Sequence, residues 1–499
     1  MKGYTQIPIS ATNEKQSFWK KLYNGIILQK FNSVYGVLSL VLVAAFIALL
    51  TRQYGLTPGF MIIALSVGIP VLYAVLTFPQ FGTVLLLLMA YLLFLIMSLG
   101  IPFPLGTLMD ALQGLLILSV LIRLKKNPDW KIFKSPISGI ILVWICYNLM
   151  EVANPSAESR LAWVYTVRSV AVVMLMYFVF MYNIRTVTFI RFILKMWLLL
   201  SVVGALWAYK QEFIGFSANE EAYLHSDPNI AALLFLAGHW RKFSIFSDPV
   251  AFSYNMVVSS LLCFALITGK RKLWKKIVLG FLMALFLSAM IFSGTRGAFV
   301  LPPAALALYA VLNFNKKVLI FSIFAALAFG FLIVVPTSNQ NILRFQTAFK
   351  PSDDVSFTAR KVNQKRIQPY ILSHPMGGGL GATGAWGQRF APNSYLAHFP
   401  PDSGYVRVAV ELGWIGLLIF CIFMFMILKT GINYYYRIRD PELKTYCLAM
   451  VLIVFAFNVG NYPQEALVQF PSNVYFYLVV ALINILYRLD IEKNGPITV

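Results

Sequence analysis

The chain has 499 residues, of which 59% are hydrophobic and only 12% charged, and its mean hydropathy is +0.74. A soluble protein of that length could not carry this composition without exposing large apolar patches, so soluble classes are excluded and a polytopic membrane protein is implied. The formal charge of +22 would suggest nucleic acid in a soluble chain, but most Lys and Arg stand in short loops beside apolar runs, where a membrane explains them better.

Residues 1–33 are polar and much longer than the n-region of a cleavable signal, and many spans follow. They read as a cytoplasmic segment ahead of a retained first helix. Runs near the length of about 20 apolar residues that a bilayer requires recur at 34–51, 58–78, 82–100, 105–122, 136–152, 163–182, 189–209, 249–269, 276–293, 297–313, 317–335, 405–429, 445–460 and 472–488. The expectation is an all-α integral membrane bundle of about fourteen helices. Eleven occupy residues 34–335, interrupted by an extracytoplasmic segment at 210–248. A large extracytoplasmic helical loop follows at 336–404, then three more spans within 405–488 and a cytoplasmic tail at 489–499. Alternate loops are basic, among them RLKKNPDWKIFK from Arg123, GKRKLWKK at 269–276, Lys316 with Lys317, and Arg437 with Arg439. That pattern places both termini in the cytoplasm.

The four cysteines, Cys146, Cys263, Cys421 and Cys447, all fall inside predicted spans without metal-ligand spacing, which argues against a disulfide scaffold or a zinc site. On the outer side no Asp/Glu/His cluster has ligand spacing, so neither a metal nor a cofactor is expected.

A loop as long as 336–404 is rarely a mere connector. It carries seven basic residues against three acids, an excess on the translocated side that either serves an anionic ligand or is the ordinary solvated charge of a long translocated segment. Ahead of it, FSDPVAF at 246–252 follows Arg241 and Lys242, and Asp248 before Pro249 is a natural helix N-cap. SGTRGAF at 293–299 sets Arg296 between small residues at the outer end of two adjoining helices, to meet lipid phosphate or to hold a ligand. Within the loop, Arg360 and Arg366 lie on a predicted helix before a glycine-rich turn at 377–381. That turn lacks the Lys-Ser/Thr sequel of a P-loop and reads as structural.

The loop closes with DSGYVRVAVELGWIGLL at 402–418. Asp402 and Ser403 can form an N-cap pair, and a carboxylate at that position is also placed to accept a proton. Arg407 and Glu411, four apart, can pair on one helix face. His398 is the nearby imidazole and the other candidate base; His374, in an SHP turn, is read as structural.

Taken in order, these elements resemble the O-antigen ligase and O-antigen polymerase family of bacterial envelope enzymes over residues 225–420. Members show an Arg followed by F-x-D-P-N, here Arg241 and FSDPVAF with Val250 in place of Asn. A Ser-x-Ser-Arg-Gly-Ala pattern appears as SGTRGAF. The closing His-Asn-x-Tyr-Leu, Glu and Gly-x-x-Gly-Leu-Leu pattern reads DSGYV with Tyr405, Glu411 and GWIGLL, so Asp402 and Ser403 stand where His and Asn are usual. The resemblance implies a fold similar to multispan glycosyltransferases that use lipid-linked donors. It also implies metal-independent transfer of a glycan from undecaprenyl pyrophosphate to an acceptor saccharide, a lipid A-core or a lipid-linked glycan, at the outer face of the bacterial inner membrane. Arg241, Arg296, Arg360 and Arg366 would then hold the donor pyrophosphate, because guanidinium forks suit phosphate oxygens. Asp402, or His398 as its rival, would be the base, supported by Asp248, Ser403, Tyr405, Arg407 and Glu411.

Ligase and polymerase share a donor and differ in acceptor, and the motifs do not separate them. A transporter or flippase of polysaccharide precursors would show internal repeats and charged or broken helices near the midplane. No such repeat is seen, and the candidate residues cluster toward one face.

Overall fold

The computed structural model describes residues 34–54, 57–98, 105–236, 238–349, 355–468 and 470–495. The segment 1–33, the end of the C-terminal tail, and Lys350 and Ser352 of the long loop lie outside them. By contacts the chain divides into two units, residues 1–74 and 75–499. The first contains α1 (Val34–Tyr54) and most of α2 (Thr57–Thr77).

The second unit is a helical bundle. Its long helices are α3 (Pro79–Ser98), α4 (Leu105–Lys126), α5 (Pro136–Met150), α6 (Arg160–Asn183) and α7 (Val187–Phe213). Short α8 (Ala218–Leu224), α9 (Pro228–Leu234) and a two-residue hairpin, β1 (Phe235–Leu236) with β2 (His239–Trp240), lead to α10 (Pro249–Thr268) and α11 (Leu273–Phe292). Then come α12 (Arg296–Phe299), α13 (Leu301–Leu312), α14 (Lys316–Val334), α15 (Gln340–Thr347), α16 (Val355–Ser373), α17 (Gly384–Phe390), α18 (Gly404–Arg437), α19 (Pro441–Gly460) and α20 (Ser472–Asn494). Three spans start alike: Ser135, Asp248 and Asp440 cap helices whose first residue is proline, and each side chain accepts from the amides just inside.

Among the described residues, twelve helices are long and apolar enough to cross a membrane, and two apolar stretches, Gly68–Thr77 and Arg296–Leu312, are shorter. Each of the fourteen expected spans thus has a helical counterpart, but 297–313 is divided. Pro302 and Pro303 lack the amide hydrogens that would bond the carbonyls of Ala298 and Phe299, so the helix breaks at Val300. The chain is an all-α multi-pass membrane protein.

The bundle is built around α20, buried nearly throughout and packed on α3, α6, α10, α18 and α19. Polar side chains lock its helices together. Asn484 donates to the Tyr177 hydroxyl at 2.8 Å, a buried bond, and accepts from Ser135 at 2.6 Å.

Successive connections alternate between two ends. At one end Arg185 meets Asp129 at 3.0 Å and Arg191 meets Glu442 at 2.6 Å, joining the basic connections. The loop 336–404 belongs to the other end and carries α15, α16 and α17. A core of Ile367, Leu396, Phe399 and Val410 binds it to the start of α18.

There α18 bends sharply at Gly413, whose φ of 69° lies in the left-handed region. A Cβ at Gly413 would lie 1.9 Å from the Pro375 carbonyl oxygen, and one at Gly377 would lie 2.4 Å from the Gly413 nitrogen. Loop and helix therefore touch backbone to backbone: Gly378 and Gly379 donate to the carbonyls of Val410 and Glu411, both at 2.9 Å, and Ile415 donates to Pro375 at 3.2 Å. The glycine-rich turn at 377–381 is a docking turn.

Candidate functional site

The connection from β2 to α10 must double back quickly to bring Arg241 and Asp248 side by side. Ser244 makes that turn with φ of 57°. Its amide donates to Gln211 Oε1 at 2.8 Å and its hydroxyl to the Gly204 carbonyl at 2.5 Å, so α7 fixes the turn. Arg241 then reaches across to the SGTRGAF segment. Its Nε donates to the Ser293 carbonyl and its Nη2 to Thr295 Oγ1, both at 2.9 Å, and Thr295 in turn donates to the Pro249 carbonyl at 3.1 Å. Three separate stretches of sequence thus share one knot.

A further arginine joins them. Gly294 takes a left-handed φ of 58°, and a Cβ there would lie 2.8 Å from Arg344 Nε. With no Cβ in the way, Arg344 of α15 lies over the turn and donates from Nε to the Gly294 carbonyl at 2.7 Å. Burial, then the positive charges of Arg344 and Arg296, push the Arg241 guanidinium down to about 10, while Asp248 pulls the other way. It remains cationic at neutral pH. Arg296 and Arg344 are therefore like charges in electrostatic range of Arg241, with the Asp248 carboxylate also acting on it.

Of these arginines Arg241 lines an open cleft of about 280 Å³, whose wall also includes Asp248, Tyr254, Asp402 and Glu465. Its lining is drawn from separate stretches of the sequence: Leu233 with 241–254, then 401–402, and the 464–472 segment around the connection from α19 to α20. Asp402 is exposed. The N-cap position of α18 belongs to Ser403, whose side chain makes no cap bond. Instead the Gly404 amide donates to the carbonyls of Asn461 at 2.9 Å and Gln464 at 3.2 Å. The expected Asp402–Ser403 capping pair is thus corrected: a neighbouring backbone turn satisfies the helix start. Among the described residues the Asp402 carboxylate accepts no hydrogen bond, and its charge acts on Glu465.

Arg407 and Glu411 do pair, Nε to Oε1 at 3.1 Å, and Arg407 also donates from Nη1 to Glu465 Oε2 at 2.6 Å. Buried Glu411 also accepts from the amides of Gly381 at 3.1 Å and Thr383 at 3.3 Å and from the Thr383 hydroxyl, so it secures the docking turn. Burial raises the Glu465 carboxyl above its ordinary range. Arg407 opposes the shift, and the charges of Glu411 and Asp402 add to it. Tyr405 is structural in its contacts, donating to the Asn458 carbonyl at 3.2 Å.

The remaining candidates lie elsewhere. Arg360 comes within electrostatic range of Tyr254, a wall residue of the cleft. Arg366 is exposed, donates to the Tyr395 hydroxyl at 3.1 Å and lies over that ring at 5.3 Å, so it is held to the loop's own surface. His398 Nε2 donates to the Pro392 carbonyl at 2.7 Å, on an exposed side chain outside the cleft wall. His374 stacks on Tyr370 with ring centres 4.0 Å apart, the structural role expected of it. Sequence reading missed Glu465 and assigned Arg344 no role. Nothing local marks either one, and only the fold brings them in. Among the described residues, no three His, Cys, Asp or Glu side chains converge as a metal site would need.

Residues 281–421 match the O-antigen ligase family. The matched stretch includes Arg296, Arg344, the long loop, Asp402 and Glu411, whereas Arg241, Asp248 and Glu465 lie outside it. No curated protein matches the chain. Over that stretch the chain is similar to the O-antigen ligase family, a glycosyltransferase-like enzyme family whose members work on lipid-linked glycans.

Proposed function

We propose that the protein transfers a glycan from an undecaprenyl-pyrophosphate donor to a hydroxyl of an acceptor saccharide, at the outer face of a bacterial inner membrane, with both termini cytoplasmic. The observation that carries this reading is the cleft itself, which is lined both by Arg241, with Arg344 and Arg296 in electrostatic range of it, and by the exposed carboxylate of Asp402 from a distant part of the chain. Transfer needs those two things. The acceptor oxygen attacks the anomeric carbon as its proton passes to Asp402. The bond from that carbon to the pyrophosphate oxygen breaks, and the lipid pyrophosphate leaves with both bonding electrons. Arg241, Arg296 and Arg344 face the negative charge that develops, and fixed cations stabilise it without reorganising. Arg360 approaches from α16. Arg366 contributes only if α16 moves, since its guanidinium is occupied by Tyr395.

The reaction so drawn uses no metal, and transfer should persist in EDTA. Ligase and polymerase chemistry are the same at this cleft, and the acceptor distinguishes them. The test is transfer by the purified protein from a defined lipid-linked donor, offered either a lipid A-core or a second lipid-linked glycan. Product from neither acceptor would defeat the reading and favour a polysaccharide-precursor transporter, for which flipping of the same donor in proteoliposomes is the direct assay.

A further inference from the structure

At the end of the bundle opposite the cleft, a hollow of about 490 Å³ opens between the turn joining α10 to α11 and the start of α19. Lys270, Arg271, Lys272 and Lys275 line one side, and Asp440 and Glu442 the other. The two signs do not cancel. Glu442 is held by Arg191 through paired bonds of 2.7 and 2.6 Å and accepts from the Tyr446 hydroxyl at 2.6 Å. Asp440 commits Oδ1 to the amides of Glu442 and Leu443 and Oδ2 to Lys493 at 2.5 Å. Both carboxylates are therefore matched by cations that do not line the hollow.

The four lining cations are left over. Arg271 reaches the Tyr446 hydroxyl at 3.5 Å and adds a longer-range attraction to Glu442, while Lys275 lies over the Trp274 ring at 5.5 Å. Among the described residues, none of the four lies within 4 Å of a carboxylate oxygen. Four like charges around one hollow repel until an anion enters it.

The adjoining helix face indicates which kind of anion. Leu273, Ile277 and Phe281 follow at four-residue intervals along α11 and are 73%, 64% and 70% exposed, beside Trp274 at 59%. That is an apolar track leading away from the charged hollow, with an indole at its head, where Trp sits at membrane interfaces. A soluble oxyanion has no use for such a track; acyl chains do.

We propose that this hollow binds the phosphate of an anionic phospholipid, with its chains laid along α11. The inference is independent of the reaction assigned to the cleft. It is tested by binding of fluorescent phosphatidylglycerol to the full-length protein in a zwitterionic detergent. Phosphatidylglycerol should outcompete phosphatidylcholine, and its binding should weaken with salt. The combined change Lys270→Gln, Arg271→Gln, Lys272→Gln should lower affinity on the order of a hundredfold, whereas Lys270→Arg with Lys272→Arg retains it. Unchanged affinity in the glutamine variant overturns the site. Full displacement of the lipid by inorganic phosphate overturns the lipid assignment in favour of a soluble oxyanion. A photoactivatable phosphatidylglycerol gives a check on the unmutated protein: cross-links should fall on the peptide containing residues 270–281, and cross-links exclusively elsewhere refute the proposal.

Discussion

Replacing Asp402 by Asn separates chemistry from structure more cleanly than any other single change at the cleft. The carboxylate is exposed, caps nothing and accepts no hydrogen bond among the described residues, because the start of α18 is held by the carbonyls of Asn461 and Gln464. A surface change of that kind usually alters stability by no more than about 0.5 kcal/mol. Loss of a general base costs about 10² to 10⁴ in rate, or roughly 2.7 to 5.4 kcal/mol in the barrier. The barrier effect therefore exceeds the stability effect at least about fivefold. The assay is single-turnover transfer from a radiolabelled lipid-linked donor, run beside a thermal melt of the same preparation in detergent. Asp402→Asn should melt like the wild type and transfer at least about a hundredfold more slowly, while Asp402→Glu recovers part of the rate. If Asp402→Asn is fully active and His398→Ala is dead, the imidazole is the base and the reasoning fails.

Arg296→Ala should slow transfer at least about tenfold, since a charge-assisted contact contributes about 1.5 to 3 kcal/mol, and Arg296→Lys should rescue poorly because the fork is lost. Arg344→Ala should behave likewise; full activity at unchanged protein level would remove either residue from the site. The Glu465 carboxyl is raised in the folded protein, so its contribution to stability is present in full below its unfolded-state titration and is lost as pH rises through the folded one. The melting midpoint of the wild type should accordingly carry a downward component across that range that Glu465→Gln lacks, and identical pH dependences would contradict it. For topology, a cysteine introduced near Ser352 should react with an impermeant maleimide in intact cells and one near Trp274 should not; labelling at Trp274 would invert the assigned orientation.

Much of the architecture was legible because membrane spans advertise themselves by length and hydropathy, and because Asp248 before Pro249 is a local signal for a local structure. The break in 297–313 was also written in the sequence, as Pro302 and Pro303, but an apolar window averages across it. Convergence was harder to read. Arg241 and Asp402 were identified as candidates separately, yet Arg344 looked like one more basic loop residue, and Glu465 lies in a short connection with no motif around it. Arg366 shows the converse: one helix carries it with Arg360, but the nearby Tyr395 ring and hydroxyl hold it away from the others. Charge and spacing identify which residues can bind phosphate, while the partner that already occupies a side chain appears only in three dimensions.

The bend of α18 also determines what may be exchanged between proteins of this kind. A span that turns at Gly413 interrupts its own ladder, and the amides and carbonyls released there are taken up by Pro375, Gly378 and Gly379 of the preceding loop. The loop is thus not an appendage that could be excised or transplanted at the edges of its hydrophobic neighbours. A chimera joined between residues 375 and 415 would leave main-chain groups bare beside an apolar slab, where each costs several kcal/mol. Grafts intended to alter what the cleft accepts should therefore keep 375–415 as a single inherited block, taking their junctions in α16 and beyond the bend.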